Sequence, residues 1–322
     1  MMAAAHQSRA ASLAARPLVL VILLVLLSLA TKPIAAATYA VTPTPPARLQ
    51  YEDNNGYCGE VTLQMLMIPF GVWLPQRWTR QVGGGELLPG LNYATTMDAL
   101  RIRYNTFAGP GGYRSFAAWA KKQLMQSRAG VVAVTFLRGE RDRDYDHIVP
   151  IVSIDTSSSP TSYVYNARDV FTVYNDFMTS PIKRTANSFS CARTNKKDGL
   201  AKAGCVPSDT SWGHAILGPT YAGIGPRVSL SVPSPASEPA IGTATTTFQG
   251  TVTAFGLQPG GKYKLYRVTR LERVPASASD AAGLAQVGDL VASFTAIGET
   301  WTSAPVSFAS DAPVWFIAVV AA

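Results

Sequence analysis

Short stretches of alternating apolar and polar residues, separated by turns rich in Gly and Pro, fill the last hundred residues of the chain. They cover residues 245–255, 262–271, 288–296, 300–309 and 313–320. Several such strands in succession favour two sheets packed face to face. We predict a β-sandwich domain over residues 226–322, with residues 229–240 as a linker or an edge strand. The domain contains neither Cys nor His, which favours a binding or spacer module over a second catalytic centre.

The N-terminus carries the longest apolar run of the chain, PLVLVILLVLLSLA at residues 17–30. Arg9 and Arg16 precede the run, and three alanines at 35–37 follow it. This pattern predicts a cleavable secretory signal peptide over residues 1–37, because an uncleaved anchor, the alternative, needs a longer run. We therefore expect a secreted protein, or one in the lumen of a secretory compartment, with no stable membrane insertion after cleavage.

Charge and motif content exclude several classes of function. Loss of Arg9, Arg16 and Lys32 with the signal peptide lowers the net charge from +8 to +5, and the remaining basic residues are scattered. We therefore expect no nucleic-acid binding. The chain has no zinc-ligand spacing, Gly-x-Ser-x-Gly motif, P-loop or dinucleotide glycine pattern, so we expect no metal and no cofactor.

Three cysteines remain after signal cleavage: Cys58, Cys191 and Cys205. Secretion favours disulfides, and Cys191 and Cys205 bracket a short polar stretch. We predict that these two form a disulfide, which in the chain-entropy model stabilises the fold by roughly 3 kcal/mol. Cys58 is then a free thiol. In the alternative, Cys58 pairs with one of the other two and all three are structural or dimer-forming.

The residues around Cys58 suggest that its thiol has a chemical role. A polar turn at residues 53–56 leads directly into Cys58, and apolar residues with helical spacing follow it. We predict a buried helix that begins at Cys58. A helix N-terminus stabilises a thiolate, so we expect a lowered thiol pKa and a nucleophile. The alternative is a buried, inert cysteine.

A thiol nucleophile needs a base, and only His147 and His214 remain in the mature chain. His147 precedes a β-branched, apolar stretch, so we expect it at a strand end, with its imidazole in a cleft. His214 also lies in a strand-like segment and is the weaker candidate, with a core or surface position favoured.

Two further roles complete such a site. Asn175 and Asp176, which follow the strand pattern of residues 170–174, are candidates to orient the imidazole. Asn166 and Asp169 are alternatives for the same role. For the oxyanion hole the candidates precede the nucleophile: they are Asn54, Asn55 and the backbone N–H of Cys58.

This arrangement resembles the papain-like cysteine peptidases, and within them the C39-like peptidase domain. The resemblance spans about residues 45–222 and rests on three segments, Gly56-Tyr57-Cys58-Gly59-Glu60, Asp146-His147 and Tyr174-Asn175-Asp176. It implies an α+β domain over residues 38–225, in which a helix carrying the cysteine packs on an antiparallel sheet. The implied roles are nucleophile for Cys58, base for His147, and orienting group for Asn175, as in papain-like enzymes, or Asp176, as in C39-like ones.

The sequence departs from the family at one position: Glu52 stands where the family usually has the oxyanion glutamine, six residues before the cysteine. The expected function is thiol-dependent hydrolysis of a peptide or isopeptide bond in a peptide or protein substrate. Two alternatives remain open, an inactive scaffold that serves as an extracellular binding protein, and an amidase or acyl transferase acting on cell-wall amides. In the second domain, the segment Leu257 to Leu265 is similar to a turn of fibronectin type III domains.

Overall fold

The computed structural model describes residues 36–51, 56–136, 147–175, 178–192, 204–223, 225–233, 246–276 and 283–321. Most of the expected signal peptide, and with it the apolar run, lies outside this part of the chain. Across the described residues, no helix combines the length and apolarity needed to cross a bilayer. The fold is α+β, with several antiparallel sheets.

The helices are α1 (Cys58–Met67), α2 (Gln76–Gly83), α3 (Tyr93–Ala99), α4 (Gly112–Ser127) and α5 (Leu284–Val287). The strands before residue 220 are β1 (Ala37–Ala40), β2 (Val72–Trp73), β3 (Ile102–Ala108), β4 (Gly130–Thr135), β5 (His147–Thr156), β6 (Val170–Tyr174), β7 (Pro181–Thr185), β8 (Ser190–Cys191), β9 (Val206–Pro207) and β10 (Trp212–Pro219). The later strands are β11 (Arg227–Ser231), β12 (Thr247–Phe255), β13 (Lys262–Val268), β14 (Asp289–Thr295), β15 (Thr300–Thr302), β16 (Val306–Ala309) and β17 (Val314–Val320).

A seven-stranded antiparallel sheet forms the centre of the N-terminal part, with strand order β3-β10-β4-β5-β6-β7 and β1 also paired to β5. Helix α4 packs on this sheet through Phe116, whose ring lies where a Cβ on Gly213 would be. The apolar spacing of residues 115–126 predicts an amphipathic helix with Phe116, Trp119, Ala120 and Leu124 toward the core. Phe116, Ala120 and Leu124 are buried, and Trp119 is partly buried against the same core. That prediction is confirmed.

Helix α1 begins at Cys58, as predicted, and all ten of its residues are buried. Gly59 allows the 84–92 segment to approach closely, because a Cβ there would lie 2.4 Å from the carbonyl oxygen of Leu87. The hydroxyl of Tyr93 on α3 donates to the carbonyl of Gly59. The N-terminus of α1 is therefore covered by protein instead of open to water.

The last hundred residues form two antiparallel sheets with a shared core, as the alternating pattern predicted. One sheet has the order β11-β12-β15, with β16 also paired to β12, and the other has the order β14-β13-β17-β2. Strand β11 lies at an edge, which agrees with the edge-strand alternative for residues 229–231. Tyr266 is buried, and Trp301 is partly buried against the sandwich core and stacks on Phe294.

This C-terminal unit is not separate from the rest of the chain. Strand β2 pairs with β17, and the indole of Trp73 belongs to the core of the C-terminal sheets and donates to the carbonyl of Ser310. Strand β17 is buried on both faces: Phe316 faces the core of the sandwich, and Trp315 faces the core of the N-terminal domain. The sequence predicted a domain after residue 225 but gave no sign of this shared strand. Strands β2 and β17 are about 240 residues apart in the chain, and pairing between such distant segments leaves no local sequence signal.

Candidate active site

The thiol of Cys58 lies against the first residues of β5. The backbone N–H of Ile148 donates to the Cys58 sulfur, and the hydroxyl of Thr62, one turn along α1, donates to the carbonyl oxygen of Ile148. Both backbone groups of Ile148 thus point at the helix. They can do so because, among the described residues, β6 pairs with β5 only from Ile151 onward. Helix α1 occupies the edge of β5 that β6 leaves open.

His147 is the first residue of β5, as predicted, and its side chain is buried. Its Cβ is only three covalent bonds from the amide nitrogen of Ile148 that donates to the Cys58 sulfur. The structure therefore brings Cys58 and His147 to the same end of the sheet. Thr135 of β4 is the direct cross-strand partner of His147, a neighbour that the sequence analysis did not identify.

The pKa of the Cys58 thiol shifts in the direction opposite to the one predicted. Burial raises the pKa from 9.0 to about 12, and the nearby Glu60 carboxylate adds to the rise. The backbone N–H groups of Ile148, Gly59 and Cys58 itself lower the pKa only in part. The prediction of a lowered pKa requires the N-terminus of α1 to be open to water, but Cys58 is only 7% exposed. Cys58 therefore rests as a neutral thiol and needs a base.

This raised pKa predicts a pH dependence of stability. The folded protein keeps the Cys58 proton above pH 9.0, where the unfolded chain releases it, so the stabilisation is complete below pH 9.0 and lost as the pH rises toward about 12. Relative to Cys58→Ala, we expect the wild-type free energy of unfolding to fall by about 1.4 kcal/mol for each pH unit above 9. Urea unfolding of both proteins between pH 7 and 10.5 measures this; a constant difference would contradict it.

An ion pair that the sequence analysis missed supports the start of α1. The Glu60 carboxylate is fully buried and accepts from Arg80 Nε at 2.8 Å and from the backbone N–H of Leu87 at 3.2 Å. Arg80 also donates to the carbonyl of Gly56 at 2.6 Å, and its guanidinium lies over the Tyr57 ring. One side chain on α2 thus fixes the residues just before Cys58 and, through Glu60, the segment that covers it.

A second contact fixes the chain on the other side of residues 52–55. The Gln76 side chain accepts from the backbone N–H of Tyr51 at 2.8 Å and donates to the carbonyl of Leu49 at 2.9 Å. The oxyanion candidates Asn54 and Asn55, together with Glu52, lie outside the described residues. Among the predicted oxyanion donors, the backbone N–H of Cys58 lies within the described residues, and it lowers the pKa of its own thiol.

The candidates for orienting His147 separate by position. Asp169 and Asn166 precede β6, whose first residue pairs with Asp155 near the far end of β5 from His147. The Asp169 carboxylate also forms a buried ion pair with Lys121 at 2.8 Å. Both alternatives are therefore wrong for this role.

Asn175 lies at the correct end of β6, but its side chain is used within its own turn. Its amide oxygen accepts from the backbone N–H groups of Thr179 and Ser180, and its amide nitrogen donates to the Thr179 hydroxyl. Asn175 therefore acts as a turn-forming residue in this structure. Asp176 lies outside the described residues and stays a prediction.

His214 has a structural role, as favoured from the sequence. Its ring stacks on Tyr93, with Nδ1 at 3.2 Å from the Thr106 hydroxyl and Nε2 at 3.3 Å from the Pro89 carbonyl. Burial lowers the pKa of His214, so the ring is neutral and holds the segment before α3 against β10.

The disulfide between Cys191 and Cys205 is present, and Cys58 is free and buried. The bridge lies beside the candidate site, because Phe136, which follows β4, exchanges backbone hydrogen bonds with Gly204 and Cys205. The alternative in which Cys58 forms a disulfide is wrong. In the part of the chain that the structure describes, no cluster of His, Cys, Asp or Glu is arranged to hold a metal ion.

No protein-family model matches the sequence, and neither the curated proteins nor the solved structures give a match. The function must therefore be argued from the residues and their geometry.

Proposed function

We propose that this protein is a secreted, thiol-dependent hydrolase in which Cys58 is the nucleophile and His147 the base. The observation that carries the proposal is the contact of α1 with the start of β5. The Thr62 hydroxyl donates to the carbonyl oxygen of Ile148, the residue next to His147, and the N–H of Ile148 lowers the pKa of Cys58. The chain order of the two residues, and a cysteine-bearing helix on an antiparallel sheet, support a papain-like arrangement.

The neutral state of the thiol determines the first step. His147 removes the proton from Cys58 as the sulfur attacks the carbonyl carbon of the scissile bond. The negative charge then develops on the carbonyl oxygen, which the backbone N–H of Cys58 stabilises together with a donor from residues 52–55. The imidazolium gives its proton to the departing amine, and water, deprotonated by His147, hydrolyses the thioester and regenerates the thiol. Asp176 is the remaining sequence candidate to orient the imidazole.

A non-catalytic binding scaffold is the second candidate. The burial of Cys58 and its raised pKa favour it, because both reduce the reactivity of the resting thiol. Glu52 at the expected oxyanion position favours it as well. Under this alternative the protein binds a peptide or another protein without cleaving it.

Turnover measurements on the mature protein separate the two candidates. Wild type, Cys58→Ala, His147→Ala and His214→Ala are incubated with peptide, isopeptide and muropeptide libraries, and new termini are identified by mass spectrometry. We expect products with wild type and none with Cys58→Ala, and turnover reduced by about 10²–10⁴-fold in His147→Ala. His214→Ala is the matched control: it should lower stability but keep turnover per folded molecule. Turnover that persists in Cys58→Ala contradicts the proposal, and substrate binding without turnover supports the scaffold.

A further inference from the structure

A cavity of about 400 Å³ lies where the N-terminal domain meets the C-terminal sheets. Phe70 and Leu217 line it from the first unit, and Val228 and Ile317 line it from the second. Its volume is at the lower end of the range for small-molecule sites, which concentrate at domain interfaces. Phe70 follows the C-terminus of α1, so the ten residues of this helix separate the cavity from Cys58 by about 15 Å.

The charged side chains that line the cavity are both positive. Arg103 and Arg227 line it, and the lining includes no carboxylate. Among the described residues, neither guanidinium forms an ion pair; Arg227 lies over the ring of Phe255. Both arginines are exposed at the edge of the cavity, and partial desolvation lowers the pKa of Arg227. Two such cations at one cavity attract an anion.

Tyr221 adds an aromatic side chain to the same wall. It is only 5% exposed, and its phenol oxygen is buried away from the cavity surface. The remaining wall is mostly aliphatic and aromatic, so a purely inorganic anion would leave the apolar surface uncovered.

We propose that this cavity binds a small organic carboxylate with an apolar body. Arg103 and Arg227 bind the carboxylate, and the apolar body packs on Phe70, Leu217 and Ile317. A ligand there contacts both units and stabilises the folded protein by RT ln(1 + [L]/Kd), where [L] is the free ligand concentration. The site is independent of the proposed hydrolysis, because it lies at the opposite end of α1 from Cys58.

Isothermal titration calorimetry of the mature protein tests the proposal, with 4-phenylbutyrate as the probe and the neutral 4-phenylbutyramide as its matched analogue. We expect saturable binding of the carboxylate and at least about tenfold weaker binding of the amide. Arg103→Gln and Arg227→Gln should each weaken carboxylate binding by about fivefold or more. Arg114→Gln, at an exposed arginine of another surface, and Cys58→Ala should leave it unchanged.

Three results would overturn the proposal. They are no saturable binding of 4-phenylbutyrate up to about 10 mM, equal affinity for the amide, or unchanged affinity in both arginine variants. Circular dichroism melting of each variant shows that loss of binding is not loss of folding.

Discussion

Replacing Lys121 by methionine is expected to lower the free energy of unfolding by about 3–5 kcal/mol. The Lys121 ammonium and the Asp169 carboxylate are 2.8 Å apart, with side chains only 1% and 3% exposed. Lys121 also donates to the Ser158 hydroxyl at 2.7 Å and to the Val164 carbonyl at 3.3 Å. Without the lysine, Asp169 is left as a buried carboxylate with no opposite charge, and the loop before β6 loses three bonds to α4.

Urea unfolding measures this cost, with two variants as comparisons. Lys121→Met/Asp169→Leu removes both charges and should recover most of the lost stability, because a buried pair replaced by apolar groups is often neutral. Lys183→Met breaks the pair with Asp155, in which the lysine is 69% exposed, and should cost no more than about 1 kcal/mol. If Lys121→Met lowers the free energy of unfolding by as little as Lys183→Met does, the buried pair is not the stabilising contact proposed here.

Elements with a strong local pattern could be predicted from the sequence. The apolar spacing after Cys58 placed the start of α1 at the correct residue, and the alternation of residues 170–174 gave the bounds of β6. The polar stretch between Cys191 and Cys205 indicated the disulfide. In each case neighbours in sequence are also neighbours in space, so the signal is contained in the segment itself.

Contacts between distant segments could not be predicted. Trp73 joins the core of the C-terminal sheets, and Glu60 pairs with Arg80 across two helices; neither contact has a periodic or spacing signature. The direction of the Cys58 pKa was wrong for the same reason, because the cover supplied by Leu87 is a tertiary contact. Asn175 is a turn former because residues 178–180 fold back onto it, which a strand pattern ending at Tyr174 does not reveal.

In the proposed mechanism, His147 activates the Cys58 thiol, which burial keeps protonated. If His147 is the base, the reaction of Cys58 with an electrophile at neutral pH depends on the imidazole being neutral. Without the imidazole, the reaction depends on the small thiolate fraction set by a pKa of about 12, and its rate rises tenfold with each pH unit through the neutral range. We therefore expect alkylation of His147→Ala to be slower by about 10²-fold near pH 7.5.

The most direct measurement is the rate of iodoacetamide alkylation of Cys58 between pH 5 and 10, in the mature wild type and in His147→Ala. Circular dichroism confirms folding, and mass spectrometry assigns the label to Cys58. The proposed mechanism predicts a wild-type rate that rises as the imidazole loses its proton and then levels, and a variant rate that is far lower near neutral pH and still rising at pH 10. Two superimposable profiles would contradict it, because Cys58 would then react without help from His147.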